Sequence, residues 1–258
     1  MMTNTSSVAA SAPGPAARVF VYAGALLFVA SLVSGGLLYL RLGEVPQDPS
    51  GIGPAWRAIA IDTLLFGLFA LHHSLFARTG LKAWLMRTVP PPLERSVYVW
   101  IASLLFFLVT LAWQPLAGRL YALDGPMAWL LTAIQIAGMV LTVWAAAQLD
   151  AFELAGLRQL WLASAPPPAA SGERTCESDA ITARGAYGVV RHPIYFAFVL
   201  MVWFTPVMTT GRLVFAAITT AYLVIAVPWE ERSLVAAYGD VYRRYCARVR
   251  WKIVPGLY

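Results

Sequence analysis

The sequence predicts an all-α membrane protein, a polytopic helical bundle of about six spans, and three observations predict it. Charged residues are only 12% of the chain and hydrophobic ones 59%, whereas about a quarter of the residues of a soluble domain are charged. Five stretches carry no Asp, Glu, Lys or Arg: Val19 to Leu40, Ser96 to Gly118, Gly125 to Leu149, Pro193 to Gly211, and Leu213 to Trp229; a sixth, Ala58 to Ala77, carries only Asp62. Each has about the length a helix needs to cross roughly 30 Å of hydrocarbon. Third, the basic residues are asymmetric. With the N-terminus inside, fifteen of nineteen Lys and Arg fall on the cytoplasmic side, and only Arg41, Arg57, Arg119 and Arg212 fall outside, as the positive-inside bias requires.

Taken in order, residues 1–17 are rich in Ser, Ala, Thr and Pro with no basic n-region, and are expected to be a disordered tail ahead of a single membrane domain, 18–258. Spans one to four follow. The fifth and sixth are the shortest, share a connector at Arg212, and are expected to form a tight hairpin with Pro206 interrupting its first arm. The polar connector from Asp150 to His192 opens with an amphipathic stretch, Ala151 to Leu162, suited to an interfacial helix, and continues as a Pro- and Ala-rich loop. After Trp229, Leu234, Val235, Tyr238, Val241, Tyr242 and Tyr245 recur at helical spacing with Arg243, Arg244 and Arg248 opposite, and Gly239-Asp240 has the character of one helix ending and another being capped. The tail is thus expected to be two short helices at the cytoplasmic surface.

This layout narrows the function. The net charge of +6 reads as topology, not as a nucleic-acid footprint, and the bilayer is the expected partner. Cys176 and Cys246 are too far apart, and too far from any His, to form a metal-ligand spacing, and both fall on the reducing side. No glycine-rich dinucleotide loop, G-x-S-x-G elbow or H-E-x-x-H helix occurs. Any site must be built from the spans and their cytoplasmic ends. The best constellation is Arg191-His192-Pro193 at the start of the fifth span with Glu230-Glu231 at the end of the sixth. Arginine and glutamate at facing helix ends can hold a zwitterionic amino acid, the guanidinium taking its carboxylate and a glutamate its ammonium. The same residues also suit a positive-inside anchor and a solvated helix end.

The run Ile181-Thr182-x-x-Gly185-x-Tyr187-x-x-x-Arg191-His192-Pro193-x-Tyr195, followed by Glu230-Glu231 and by Tyr238-Gly239-x-x-Tyr242, resembles the isoprenylcysteine carboxyl methyltransferase superfamily. Within it, His72-His73-Ser74-Leu75-Phe76-Ala77-Arg78, Pro90-Pro91-Pro92-Leu93-Glu94-Arg95-Ser96 and Asp150-x-Phe152-Glu153-Leu154-x-Gly156-Leu157-Arg158-Gln159 resemble the bacterial methanethiol S-methyltransferase branch. The likeness runs from about Ile59 to Pro255. Ala197 stands where the superfamily usually has Gly, which narrows the space there, and the connector Ala165 to Ser178 is unlike the branch.

The resemblance implies a methyltransferase whose cofactor, S-adenosylmethionine, is held by Gly185, Tyr187, Arg191, His192, Tyr195, Glu230 and Glu231 in a part of the chain from about 150 to 258. It implies a small apolar thiol as substrate, converted from methanethiol to dimethyl sulfide, at a site on the cytoplasmic side of a bacterial inner membrane. A prenylcysteine or lipid methyltransferase and a non-enzymatic membrane protein of the same fold are the alternatives. His72 and His73, at the cytoplasmic end of the second span, are candidates with Arg191 for forming the thiolate. Asp150, Glu153, Arg158 and Gln159 are candidate substrate contacts. Asp62, about 16 Å from His73 along the helix, is expected instead to be a buried, partnered carboxylate.

Overall fold

A computed structural model of the chain describes residues 14–46, 53–76, 87, 89–90, 93–147 and 185–258. Among the described residues there are six α-helices: α1 (Pro15–Arg41), α2 (Ala55–Phe76), α3 (Glu94–Ala112), α4 (Gly125–Ala147), α5 (Pro193–Trp203) and α6 (Thr210–Arg248). Two short strands, β1 (Arg119–Ala122) and β2 (Val207–Thr209), interrupt them. α1 packs on α3, α2 on α3 and α6, and α5 on α4 and α6. Among the described residues five helices are long and apolar enough to cross a membrane, all of these but α5. Their outer faces are apolar too: Leu26, Leu64, Leu111, Trp129 and Val143 are each more than 70% exposed. Helices apolar on both faces are stable where the surroundings are hydrocarbon, and the chain is an integral membrane protein.

The expected bundle is present, with informative differences. α1 begins at Pro15, inside the stretch expected as tail, because proline at the first helical turn loses no hydrogen bond. α5 has 11 residues, about 16 Å of helix, so the hairpin is unequal: the chain leaves the helix at Phe204, and Pro206 has no N–H to continue it. β2 pairs antiparallel with β1, satisfying main-chain groups of two connectors at one end of the bundle. These strands are not legible in hydropathy. α6 is continuous from the sixth span through Pro228 to Gly239, where φ 53 marks the break between two helices. The expected boundary at Gly239 is there, but the first tail helix is an extension of the span.

A core of Leu38, Phe66, Val109, Trp113, Val202 and Phe215 joins α1, α2, α3, α5 and α6. Asp62 is wholly buried at the end of the bundle away from His73, and its Oδ1 accepts the Gln114 N–H at 2.8 Å. α4 lies against α5 because Gly138 has no side chain: a Cβ there would stand 2.8 Å from the Ala197 carbonyl oxygen. Ala197 itself is fully buried, so at this crossing the space is made by the glycine of the partner helix.

Candidate active site at the α2, α5 and α6 ends

The site is assembled from main chain first. Val190 forms a parallel bridge with Trp251, Arg191 N–H donates to the Trp251 carbonyl and His192 N–H to that of Lys252, each at 2.9 Å. The segment after α6 therefore folds back and fixes the two residues that open α5. His192 is the N-cap of α5, with Pro193 in its first turn, and its carbonyl accepts the N–H groups of Tyr195 and Phe196. One turn in, the Tyr195 ring stacks on His192 with centroids 5.3 Å apart.

Glu230 and Glu231 are the first charged residues of α6 after Arg212, just past the apolar stretch that ends at Trp229. The Tyr195 hydroxyl donates to Glu230 Oε2 at 2.8 Å. Arg191 Nε stands 3.0 Å from Glu231 Oε1, and His192 Nε2 stands 3.4 Å from the same oxygen. The two carboxylates therefore differ. Glu231 is 15% exposed and bound to Arg191 and His192, whereas Glu230 is 42% exposed and faces open space. Burial pushes the Glu231 carboxyl up, but the hydrogen bond from His192 and the charge of Arg191 outweigh it and hold the group below the usual carboxylate range. That ion pair is present above the ordinary carboxylate pKa and is lost only as pH falls through the lowered value.

Glu230 opens onto a cleft of about 280 Å³ lined by His73, Ser74, Tyr195, Tyr222, Ala226, Trp229, Glu230, Ser233 and Leu234. The cleft joins the end of α2 to the hairpin. It brings together His73, Tyr195 and Glu230, with Arg191, His192 and Glu231 directly behind. His72 is buried beside it, its ring stacked on Tyr98 at 5.4 Å, so of the two histidines it is His73 that lines the space. Ser74 Oγ and Tyr222 hydroxyl are 3.3 Å apart across the cleft, and Tyr98 hydroxyl is 2.8 Å from His73 Nδ1.

Gly185 and Tyr187 belong to a 3-10 turn, Gly185–Gly188, ahead of α5. Gly185 has φ 56, and a Cβ there would run into the Trp144 ring, so glycine is required both by conformation and by contact with α4. The Tyr187 carbonyl accepts the Tyr245 hydroxyl at 2.8 Å, tying the turn to the second half of α6. Burial, and then the negative charge of Glu230, push the Tyr187 phenol up. Asp150, Glu153, Arg158 and Gln159 lie outside the described residues, as do Cys176 and the amphipathic stretch 151–162.

Tyr98, Tyr222 and the returning segment at Trp251 and Lys252 were not evident as site residues. Tyr98 and Tyr222 each sit inside an uncharged stretch, where a phenol hydroxyl still requires a partner, and that requirement is the one signal the sequence holds for them. The backbone bridge from Val190 to Trp251 leaves no side-chain signature.

A membrane bundle that turns a histidine, a glutamate and three aromatic rings into one largely apolar cleft at its helix ends has the form of a membrane-embedded enzyme. The chain is 35% identical to methanethiol S-methyltransferase 2 of Bradyrhizobium diazoefficiens over 213 residues, 82% of this chain and 77% of that protein. It is 36% identical to methanethiol S-methyltransferase of Mycobacterium tuberculosis over 227 residues, 86% of this chain and 90% of that protein. Nurim of Xenopus laevis is 28% identical over 236 residues, covering 81% and 80%. No protein-family model matches the chain, and no solved structure matches it. The chain belongs to the methanethiol S-methyltransferase family, a group of membrane methyltransferases.

Proposed function

We propose that this protein methylates a small thiol, methanethiol, to dimethyl sulfide, with S-adenosylmethionine as the donor. The observation that carries this is the cleft in which His73 of α2 faces Glu230 and Tyr195 of the hairpin. The donor set fits the amino-acid end of S-adenosylmethionine: Glu230 is an accessible carboxylate for an ammonium, and Arg191 is a guanidinium at a helix start for a carboxylate. Tyr187 and His192 complete that surface, and Gly185 sets its backbone. When bound, S-adenosylmethionine supplies an activated methyl group to a thiolate, a step between opposite charges that a water-poor site favours.

The chain has to make the thiolate and keep it dry. A free thiol has a pKa of about 8.5 or higher, so a base is needed near neutral pH. His73 lines the cleft and is the candidate for that proton, with Arg191 adding positive potential and His72 packed behind. Tyr195, Tyr222 and Trp229 present apolar faces that exclude water and suit a small apolar acceptor arriving from the lipid. We place this site, and both termini, on the cytoplasmic side of a bacterial inner membrane, supported by the distribution of Lys and Arg. The relatives named for methanethiol support a small thiol over a prenylated acceptor, with the cofactor part at about 150–258 of a domain spanning 18–258.

The test is transfer of an isotopically labelled methyl group from S-adenosylmethionine by the purified protein in nanodiscs. Acceptors are methanethiol, a longer alkanethiol and a prenylated cysteine, read by product mass, with an impermeant thiol reagent probing Cys246 in inverted and right-side-out vesicles. Label in dimethyl sulfide and reaction of Cys246 only from the cytoplasmic face are expected. Transfer to the prenylated acceptor alone, or to none, overturns the substrate. Reaction of Cys246 from the outer face overturns the orientation.

A further inference from the structure

The Arg191–Glu231 pair and the cleft occupy the ends of α2, α5 and α6, and leave the start of α3 without a task. There Arg95 lies with its guanidinium carbon 5.0 Å from the centroid of the Tyr98 ring. The Tyr98 ring also stacks on His72, with an interplanar angle of 21°. Held by these two, the phenol places its hydroxyl 2.8 Å from His73 Nδ1. Since Nδ1 is engaged with Tyr98, Nε2 is the ring nitrogen left for the cleft that His73 lines.

A neutral imidazole carries hydrogen on one nitrogen and a lone pair on the other, and the partner of one nitrogen sets the role of the other. We propose that Tyr98 is a positioning residue, whose oxygen accepts the Nδ1–H of His73 and so keeps the Nε2 lone pair turned to the cleft. In this arrangement the thiol S–H bond breaks, its proton bonds to Nε2, and the electron pair stays on sulfur as the thiolate. The imidazolium then keeps both of its protons partnered, Nδ1–H on Tyr98 and Nε2–H toward the cleft, until Nε2 releases its proton to water. The groups facing His73 are His72 from α2, Arg95 and Tyr98 from α3, Tyr195 from α5, and Tyr222 and Glu230 from α6. Glu230 is the anion among them, and shares the cleft with His73. The proton step rests on the thiol-methylation reading above; the tautomer does not.

The chain has three histidines, so nitrogen-15 histidine labelling gives a spectrum that H72Q and H192Q variants assign. In wild-type protein His73 is expected as the Nδ1–H tautomer, and in Tyr98→Phe, which keeps the ring, its hydrogen is expected to move to Nε2. Tyr98→Phe should lower turnover about tenfold with the S-adenosylmethionine KM unchanged, as for a misplaced but intact base. That loss should shrink at alkaline pH, and should vanish in a His73→Gln background, where there is no imidazole to position. Arg95→Gln should move the same resonances in the same direction by less, and serves if Tyr98→Phe does not fold. An Nε2–H tautomer in wild-type protein, or an unchanged tautomer in the folded variants, overturns the proposal. So does a Tyr98→Phe loss that persists in full without His73. If no thiol is methylated the function fails, yet the spectrum still decides the role of Tyr98.

Discussion

Arg212 and Arg191 are both arginines at the start of a hairpin helix, and they are used differently. Arg212 donates through one nitrogen to Thr205 Oγ1 at 2.7 Å and to the Val207 carbonyl at 2.8 Å, and lies over the Tyr39 ring at 4.9 Å. Around it Thr209 donates to the Leu42 carbonyl, Tyr121 to that of Thr205, and Leu123 N–H to that of Pro206. Most of these contacts end on backbone carbonyls, and they tie the connectors together. Arg191, at the opposite end, meets Glu231, which meets His192, while Glu230 and Tyr195 hold one another beside a cleft. Side chains that satisfy backbone have no freedom to exchange partners without exposing main-chain groups to hydrocarbon. Ionisable side chains that satisfy one another can admit a ligand by exchanging one charged partner for another. The first end is a scaffold and the second can do chemistry.

The contrast is broken most directly at His73. A general base contributes about a hundredfold to ten-thousandfold, so His73→Gln is expected to lower methyl transfer to methanethiol by that range at neutral pH while S-adenosylmethionine still binds. The deficit should narrow as pH approaches thiol ionisation, where no base is required. A pH-independent deficit, or none, would remove His73 from the proton step and leave the thiolate to Arg191 and the donor's own positive charge.

A smaller effect is expected at Glu230. Loss of a charge-assisted hydrogen bond in a poorly hydrated site costs about 1.5–3 kcal/mol, or roughly ten- to hundredfold in affinity. Glu230→Gln should weaken S-adenosylmethionine binding by that factor in a calorimetric titration. It should spare the fold, because the ion pair behind the cleft runs through Glu231. Unchanged affinity in folded protein would reject the ammonium contact.

What could be read in advance divides along the same line. The spans were legible because uncharged runs of membrane length have few other uses. The meeting of Arg191, His192, Tyr195, Glu230 and Glu231 was legible because they are close in sequence to helix ends that a hairpin must bring together. His73 could not be told from His72, since neighbours on a helix point about 100° apart and only the packing of α2 on α6 decides which one meets the cleft. Tyr98 and Tyr222 were hidden because their partners, His73 and Ser74, lie on another helix. The scaffold end was the least legible. A strand pair, and a threonine bonded to a carbonyl 167 residues away, depend on backbone position and leave the hydropathy of the chain unchanged.

The smallest effect on catalysis, and the sharpest check of the division, is expected at Thr209. Its side chain caps α6 by accepting the Arg212 N–H at 3.1 Å and donates in turn to the Leu42 carbonyl, joining α6 to the end of α1. Valine has nearly the same shape and neither hydrogen bond. Thr209→Val leaves an unpartnered N–H at the helix start and an unpartnered carbonyl in a buried place. Loss of such a cap costs about 0.5–2 kcal/mol. The expected result is a lower Tm in thermal unfolding, with turnover per folded molecule and S-adenosylmethionine affinity unchanged, because no atom of this network reaches the cleft. A variant that melts normally would show that the seam contributes nothing to stability. One that melts early and also loses turnover in its folded fraction would show that the two ends are coupled through α6, and that the scaffold takes part in setting the geometry of Glu230.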